Sequence, residues 1–269
     1  TKMKVLVIGA GNMGLTYAEG MVKSSLLGEK NLQIFDTDPE KIIALKEVSH
    51  FDVYDKLEDC LPKADLVFIA VKPYHSDDLF EKMKPMINQN QIFISLMAGV
   101  TIESIQERLG AEKVVRTMPN LPAQVGKGVT SYTESDKVSR VELLAIRNLL
   151  DTTGESIHVD TQKFIDASTG ISGSGPAYVF YFMNSMLEAA KKMGFSEHDS
   201  KVLVSNTFEG AVELFNKNDL SPQTWMNRVA SKGGTTRAAL DSMDDNNVKD
   251  LIKEAAYAAF NRAIELGEK

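Results

Sequence analysis

Cysteine is almost absent from this chain: Cys60 is the only one in 269 residues. A single thiol excludes an internal disulfide and a cysteine-built zinc centre, and it fits a reducing compartment. Histidine is scarce too. His50, His75, His158 and His198 share no ligand-like spacing, so no metal site is expected, and His75 is the one histidine placed beside a loop of interest. There is no excess of basic charge: 30 Lys and Arg face 37 Asp and Glu, a net charge of -7, with no basic cluster to offset it. That balance argues against a partner bound by neutralising a phosphate backbone, so nucleic acid is excluded as a ligand class. No run approaches the roughly 18 apolar residues of a membrane span, and the chain enters a strand pattern within its first seven residues, so neither a membrane anchor nor a secretory leader is expected. A cytoplasmic location follows as the expectation. Repeats, low-complexity tracts and flexible linkers are also lacking.

What is present is an ordinary globular composition, 43% apolar and 25% charged. The length exceeds a usual single domain of roughly 100–150 residues, so two domains are expected. Short β-branched runs at Lys4–Ile8, Leu32–Phe35, Leu66–Val71, Gln91–Leu96 and Val114–Thr117 alternate with helical patterns starting near Asn12, Pro39, Ser76 and Thr101. Such alternation predicts βαβ units around a parallel sheet. Val129–Thr133 and Ser156–Val159, flanking a helix near Lys137–Leu150, finish this half, and Cys60 falls on a short predicted helix, Lys56–Leu61. After Asp160 strand signals stop and long periodic stretches take over at Ala177–Met193, Glu197–Phe215 and Asn247–Leu266. The predicted fold class is therefore α/β, a Rossmann-type parallel-sheet domain over 1–160 followed by an all-helical domain over 161–269. Tyr178, Phe180, Tyr181, Phe182, Met183 and Met186 crowd one helix so heavily that more than one face must be covered, which predicts a homodimer through the C-terminal helices. A buried central helix of a monomer is the alternative.

Two glycine-rich loops carry the chemistry. Gly9-Ala10-Gly11-Asn12-Met13-Gly14 follows a strand and opens a helix, the context in which this spacing reads as a dinucleotide fingerprint. Gly9 permits the tight turn, Gly11 lets backbone approach a pyrophosphate, and Gly14 lets helix and strand pack closely. Asp36 stands 22 residues beyond Gly14, at the end of the next strand, where a carboxylate accepts from a ribose 2′-hydroxyl and repels a 2′-phosphate. The predicted cofactor is a nicotinamide dinucleotide, NADH or NADPH, with Asp36 arguing for NADH. Ala70-Val71-Lys72-Pro73, Met97-Ala98 and Asn120 end later strands at the carboxyl edge of the sheet, where open α/β folds bind ligands, and are the other predicted cofactor contacts. The second loop, Ser231-Lys232-Gly233-Gly234-Thr235-Thr236, opens a helix and offers bare backbone N–H groups plus neutral hydroxyls to a small carboxylate. Gly173-Ser174-Gly175-Pro176 precedes another helix, for which Pro176 suits the first position.

With these motifs, and with Ala-Gly-Val-Thr at 98–101, Arg-Thr-Met-Pro-Asn at 116–120 and Ser-Gly-Ser-Gly-Pro-Ala-Tyr at 172–178, the chain resembles the pyrroline-5-carboxylate reductases over essentially its whole length. The resemblance implies reduction of the cyclic imine 1-pyrroline-5-carboxylate to proline, the last step of proline biosynthesis, by an enzyme whose dimers can assemble into larger rings. It implies that Ser231, Gly233, Gly234, Thr235 and Thr236 cradle the substrate carboxylate, with Gly175 and Pro176 also on the substrate side, and that Thr236 hydrogen-bonds the ring nitrogen as the catalytic residue. Lys232 stands where many members have proline, and Leu121 where threonine is frequent. A related β-hydroxyacid dehydrogenase would carry a catalytic lysine at the position of Val179, so an alcohol-forming reduction lacks its proton donor. A reductase of another cyclic imine, or a non-catalytic dinucleotide-binding regulator, are the other readings; the second would have lost one of the two loops, and both are present.

Overall fold

The computed structural model describes residues 3–27, 31–47 and 50–268. Eight strands form one sheet in the order β3-β2-β1-β4-β5-β6-β7-β8: β1 (Val5–Ile8), β2 (Leu32–Phe35), β3 (Asp52–Tyr54), β4 (Leu66–Ile69), β5 (Ile92–Ser95), β6 (Val114–Met118), β7 (Gly128–Glu134) and β8 (Gly154–His158). Pairing is parallel from β3 to β6, with Val5 opposite both Leu32 and Leu66. The sheet departs from the all-parallel expectation at β7, which runs antiparallel to β6 and then pairs in parallel with β8. A short helical turn over Leu121–Val125 separates β6 from β7, too brief for a crossover, so the chain can only fold back on itself there.

The central strands are covered on both sides, which is why they read as unbroken apolar runs. In β1, Val5 and Val7 enter one core with Tyr17, Met21, Ile146 and Leu149, while Leu6 and Ile8 enter the other with Phe80, Met83, Ile105 and Leu109. The first core lies under α1 (Asn12–Lys23) and α5 (Arg140–Leu150), the second under α3 (Ser76–Met83) and α4 (Ile102–Leu109); α2 (Pro39–Lys46) follows β2. Sequence chemistry sets these helix ends. Asp38 accepts from Glu40 N ahead of Pro39, Thr101 accepts from Ser104 N, and Ser139 with Glu142 forms a capping box. The Tyr17 hydroxyl pairs with Thr130 inside the first core, tying α1 to β7, and burial pushes its pKa up.

Around Cys60 the expected helix is instead two short turns, Leu57–Asp59 and Leu61–Lys63, because Pro62 has no N–H with which to continue a longer helix. Cys60 is fully buried, and burial pushes its thiol up to about 12. Native protein at pH 8 is expected to resist a thiol-alkylating reagent, and denatured protein to take up one equivalent per chain. Rapid native labelling would contradict the burial. Because the unfolded thiol ionises near its ordinary value of 9.0 and the folded one only near 12, stability contributed here is intact below about pH 9 and is lost as pH climbs through that window.

The chain divides into two compact units, one comprising the residues up to Ser174 together with those from Ala258 onward, the other Gly175–Tyr257. The strands end at His158, and the first compact unit also takes in the segment that follows. Helix α6 (Gln162–Ser168) lies on β6 and β7, and it runs into a π-helical turn over Thr169–Gly173 before the second unit begins. The last turns of α11 (Val248–Gly267) also return to the first unit, where Gly99 lies so close to Leu266 that a side chain there would clash. The second unit holds α7 (Gly175–Lys192), α8 (Glu197–Lys217), α9 (Pro222–Val229), α10 (Thr235–Asp245) and the start of α11. Helix α7 begins at Gly175, one residue before Pro176. Its apolar residues stay largely uncovered within one chain: Phe180 is 57% and Tyr181 80% exposed. No helix among the described residues is long and apolar enough to cross a membrane.

Candidate active site

The turn between β1 and α1 is built as its glycines demand. Gly9 has φ of +105°, its N–H donates to Phe35 O at 2.9 Å, and a Cβ there would lie 2.7 Å from Ala70 O. A Cβ at Gly14 would lie far inside van der Waals contact distance of Gly9 O, so only hydrogen lets α1 start against the strand end. Gly11, by contrast, faces open space and caps α1 with no side-chain bond, leaving the first N–H groups of the helix free of side-chain caps. That combination fits a pyrophosphate: bare donors, the positive end of a helix dipole and room for backbone approach.

Asp36 supplies the other wall. One carboxylate oxygen accepts from Ala10 N at 2.7 Å and the other from Asp38 N at 2.8 Å, so the group is fixed in place by the glycine turn on one side and the entry to α2 on the other. Each oxygen keeps a lone pair for a ribose hydroxyl. A cleft of about 530 Å³ brings together Gly9, Gly11, Asp36, Ala70, Val71 and Lys72 of the sequence-predicted set. It adds Thr37, Asp38, Lys41 and Tyr74 from the segments after β2 and β4 at the carboxyl edge, Lys82 of α3, and His75, the histidine that the sequence places beside this loop. His75 sits against Tyr74, ring centroids 4.3 Å apart.

The remaining predicted cofactor residues stand outside that cleft. Ala10 is buried and contributes its N–H to Asp36; Asn12 and Met13 form the first turn of α1, and Pro73 opens a short turn after Lys72. The Met97 side chain belongs to the second core, so its backbone alone is available to a ligand, beside half-buried Ala98. Asn120 is buried and its side-chain oxygen accepts from Val129 N at 2.9 Å, bracing the reversal between β6 and β7. A larger hollow of about 670 Å³ lies over α4 and the end of β7 and contains none of the glycine-turn residues.

In the second unit, Gly233 adopts φ of +73°, and Gly234 N closes the turn onto Ser231 O at 3.0 Å. Gly234 caps α10 with extended backbone and no side-chain acceptor, and a Cβ there would press on the Ser231 hydroxyl at 2.5 Å. Thr235 and Thr236 are the first two helical residues, and the first helical hydrogen bond is Ala238 N to Gly234 O. The N–H groups of Thr235, Thr236 and Arg237 therefore have no intrahelical acceptor and converge at an uncapped helix start, a seat for an anion the size of a carboxylate. Lys232 is exposed at this loop, and Gly175 has open space at the start of α7.

Comparison with known proteins agrees with both halves. Residues 162–266 match the family described as pyrroline-5-carboxylate reductase dimerisation, and residues 4–99 match the NADP oxidoreductase, coenzyme F420-dependent family. The chain is 32% identical over 271 aligned residues to the pyrroline-5-carboxylate reductase of Staphylococcus haemolyticus, covering 99% of this chain and 98% of that one. It superposes on the Coxiella burnetii pyrroline-5-carboxylate reductase with a TM-score of 0.91 at 28% identity over all of both chains, and on the NADP-bound Plasmodium falciparum pyrroline carboxylate reductase with 0.89 at 29% identity over 98% of each. A Rossmann-type sheet with a dinucleotide turn, joined to a helical dimerisation domain and similar over its full length to these reductases, places the chain in the pyrroline-5-carboxylate reductase family.

Proposed function

We propose that this protein reduces 1-pyrroline-5-carboxylate to proline. The observation that carries the reading is the pair of uncapped, glycine-led helix starts, one with a dinucleotide turn and a fixed acidic residue, the other with two threonines after two glycines. A reduced nicotinamide, when bound, supplies the hydride that adds to the imine carbon. The residues do the rest. Gly11 and the first N–H groups of α1 hold the pyrophosphate, Asp36 accepts from the ribose, and Ala70–Pro73 with Met97, Ala98 and Asn120 hold the remainder of the cofactor. The N–H groups of α10, with Ser231, Gly233 and Gly234, hold the substrate carboxylate, and Gly175 and Pro176 bound the substrate. The Thr236 hydroxyl orients the ring nitrogen and relays its proton. No strongly acidic side chain is required if the imine arrives protonated, which suits a loop made of glycine, serine and threonine.

The expected result of mixing purified protein with 1-pyrroline-5-carboxylate and a reduced cofactor is loss of absorbance at the reduced nicotinamide band with formation of proline. No turnover with either cofactor would refute the reading.

NADH is the preferred donor on this reading. Asp36 cannot swing away from a 2′-phosphate without breaking its bonds to Ala10 N and Asp38 N. Replacing Asp36 by asparagine keeps an acceptor while removing the charge, and should move the NADH to NADPH ratio of kcat/KM toward NADPH by roughly 10-fold, about 1.4 kcal/mol. An unchanged ratio would remove Asp36 from cofactor choice.

The working form is a homodimer through the C-terminal helices, able to build larger rings, in the cytoplasm. The exposed Phe180 and Tyr181 of α7 and the exposed Leu203, Val212 and Phe215 of α8 are the surfaces a second copy would cover. Light scattering on the purified protein should give an even-numbered assembly, and Tyr181→Asp should shift it toward monomer.

A further inference from the structure

Arg116 is the buried charge that the proposed reaction leaves without a task. It stands on β6 with only 1% of its surface exposed. Its guanidinium donates to Asp166 Oδ1 at 2.6 Å and to Gln162 Oε1 at 3.2 Å, while Nε has no partner. Gln162 is itself shared: its oxygen also accepts from Ile102 N at 2.8 Å, and its amide donates to the Glu103 carboxylate. One fork thus joins a central strand, the first turn of α4 and both ends of α6.

Two more pins act on the same segment. Met118 lies two residues beyond Arg116, hence on the same face of β6, and a side chain at Gly173 would meet Met118 Cε at 3.0 Å. On β7, Ser131 pairs its hydroxyl with Ser168 at 2.6 Å. Between these pins the chain winds through the π-helical turn, closed by Ser174 N to Thr169 O at 2.8 Å, and then enters Gly175 and Pro176. Single π turns are costly and tend to occur where function needs a fixed irregularity.

A buried ion pair is weak evidence for stability, because well-packed apolar residues of the same volume do as well or better, and the orphaned Nε makes this one costlier still. What a planar two-pronged donor supplies that an apolar contact cannot is direction. We infer that Arg116 is a positioning residue, whose fork onto Asp166 and Gln162 holds α6 and the Thr169–Ser174 turn in one conformation, so that the Gly175–Pro176 segment is presented to the substrate in a single geometry. The inference rests on the proposed reduction for its kinetic arm but not for its structural one.

Three variants test it, each measured by kcat and KM per folded enzyme, by melting temperature and by amide hydrogen exchange across 169–174. Arg116→Lys keeps the charge and loses the fork. It should lower kcat roughly 10- to 100-fold, as misplacement of a reacting group by about 1 Å does, with dinucleotide KM within about 2-fold and exchange across 169–174 about 10-fold faster. The double variant R116M/D166L repacks the site with apolar groups, so it should melt at or above the wild-type temperature yet show the same loss of kcat. Asp166→Asn keeps the acceptor oxygen and should retain kcat within about 3-fold. Wild-type kcat in R116M/D166L, or unchanged exchange across 169–174 in Arg116→Lys, overturns the inference. An inactive wild type would refute the reductase reading instead, and the exchange measurement would still decide the role of Arg116.

Discussion

Gly14→Ala should abolish measurable dinucleotide binding and lower the melting temperature, whereas Gly11→Ala should weaken binding and leave the melting temperature where it is. The two glycines sit three residues apart in one turn and fail for different reasons. A methyl group on Gly14 would overlap Gly9 O, a backbone atom that cannot rotate aside, and would crowd Ala70 Cβ at 3.1 Å. Helix α1 must then back away from the strand ends, which costs about 1–3 kcal/mol of overpacking strain and breaks the register between the first N–H groups of α1 and Asp36. A methyl on Gly11 meets nothing within 4 Å, so the fold has no reason to change. It would occupy the space through which a pyrophosphate approaches the helix start, and a loss of roughly 100-fold in affinity, about 2.8 kcal/mol, is expected. Calorimetric titration with NADH and thermal unfolding of both variants separate the cases. If Gly11→Ala binds as the wild type does, the pyrophosphate does not sit on this turn.

How much of this was legible in the sequence depends on whether the determining interaction is local. The glycine turn was, because one positive φ and one close approach are imposed by residues within six positions of each other. Central strands were legible to within about two residues, since burial on both faces leaves apolar runs that nothing else explains. Strand β3 was not: Asp52-Val53-Tyr54 is three residues long at a sheet edge, with an exposed aspartate, too short for any alternation to register. The reversal at β7 was not either, because a strand carries no mark of its direction. Helix α6 is seven residues long with Ile165 as its one buried residue, and its attachment to the sheet runs through Arg116, 50 positions away from Asp166. With the Ser131–Ser168 hydroxyl pair, which spans 37 positions, that long-range contact fastens the segment after 160 to the sheet. Asp36 was identified as an acidic residue at the right distance, but its clasp on Ala10 N spans 26 positions and came from the structure alone.

Thr236→Val should lower kcat roughly 100-fold, at the low end of what a positioned proton-transfer group supplies, with cofactor affinity unchanged. Valine matches threonine in shape and differs little in helix propensity, so α10 and its free N–H groups persist and the carboxylate keeps its seat. What disappears is the hydroxyl, the one group of the loop assigned to the ring nitrogen. Because a threonine hydroxyl does not titrate at physiological pH, the variant should scale the pH profile of kcat downward without shifting it, unlike the loss of a tuned acid or base. Thr236→Ser returns the hydroxyl on a freer rotor and should recover most of the rate. Stopped-flow turnover measured from pH 6 to 9, with dinucleotide Kd determined separately, reads both effects. A valine variant that turns over at the wild-type rate would leave the proton and the nitrogen to some other donor, and the loop would then be a carboxylate cradle only.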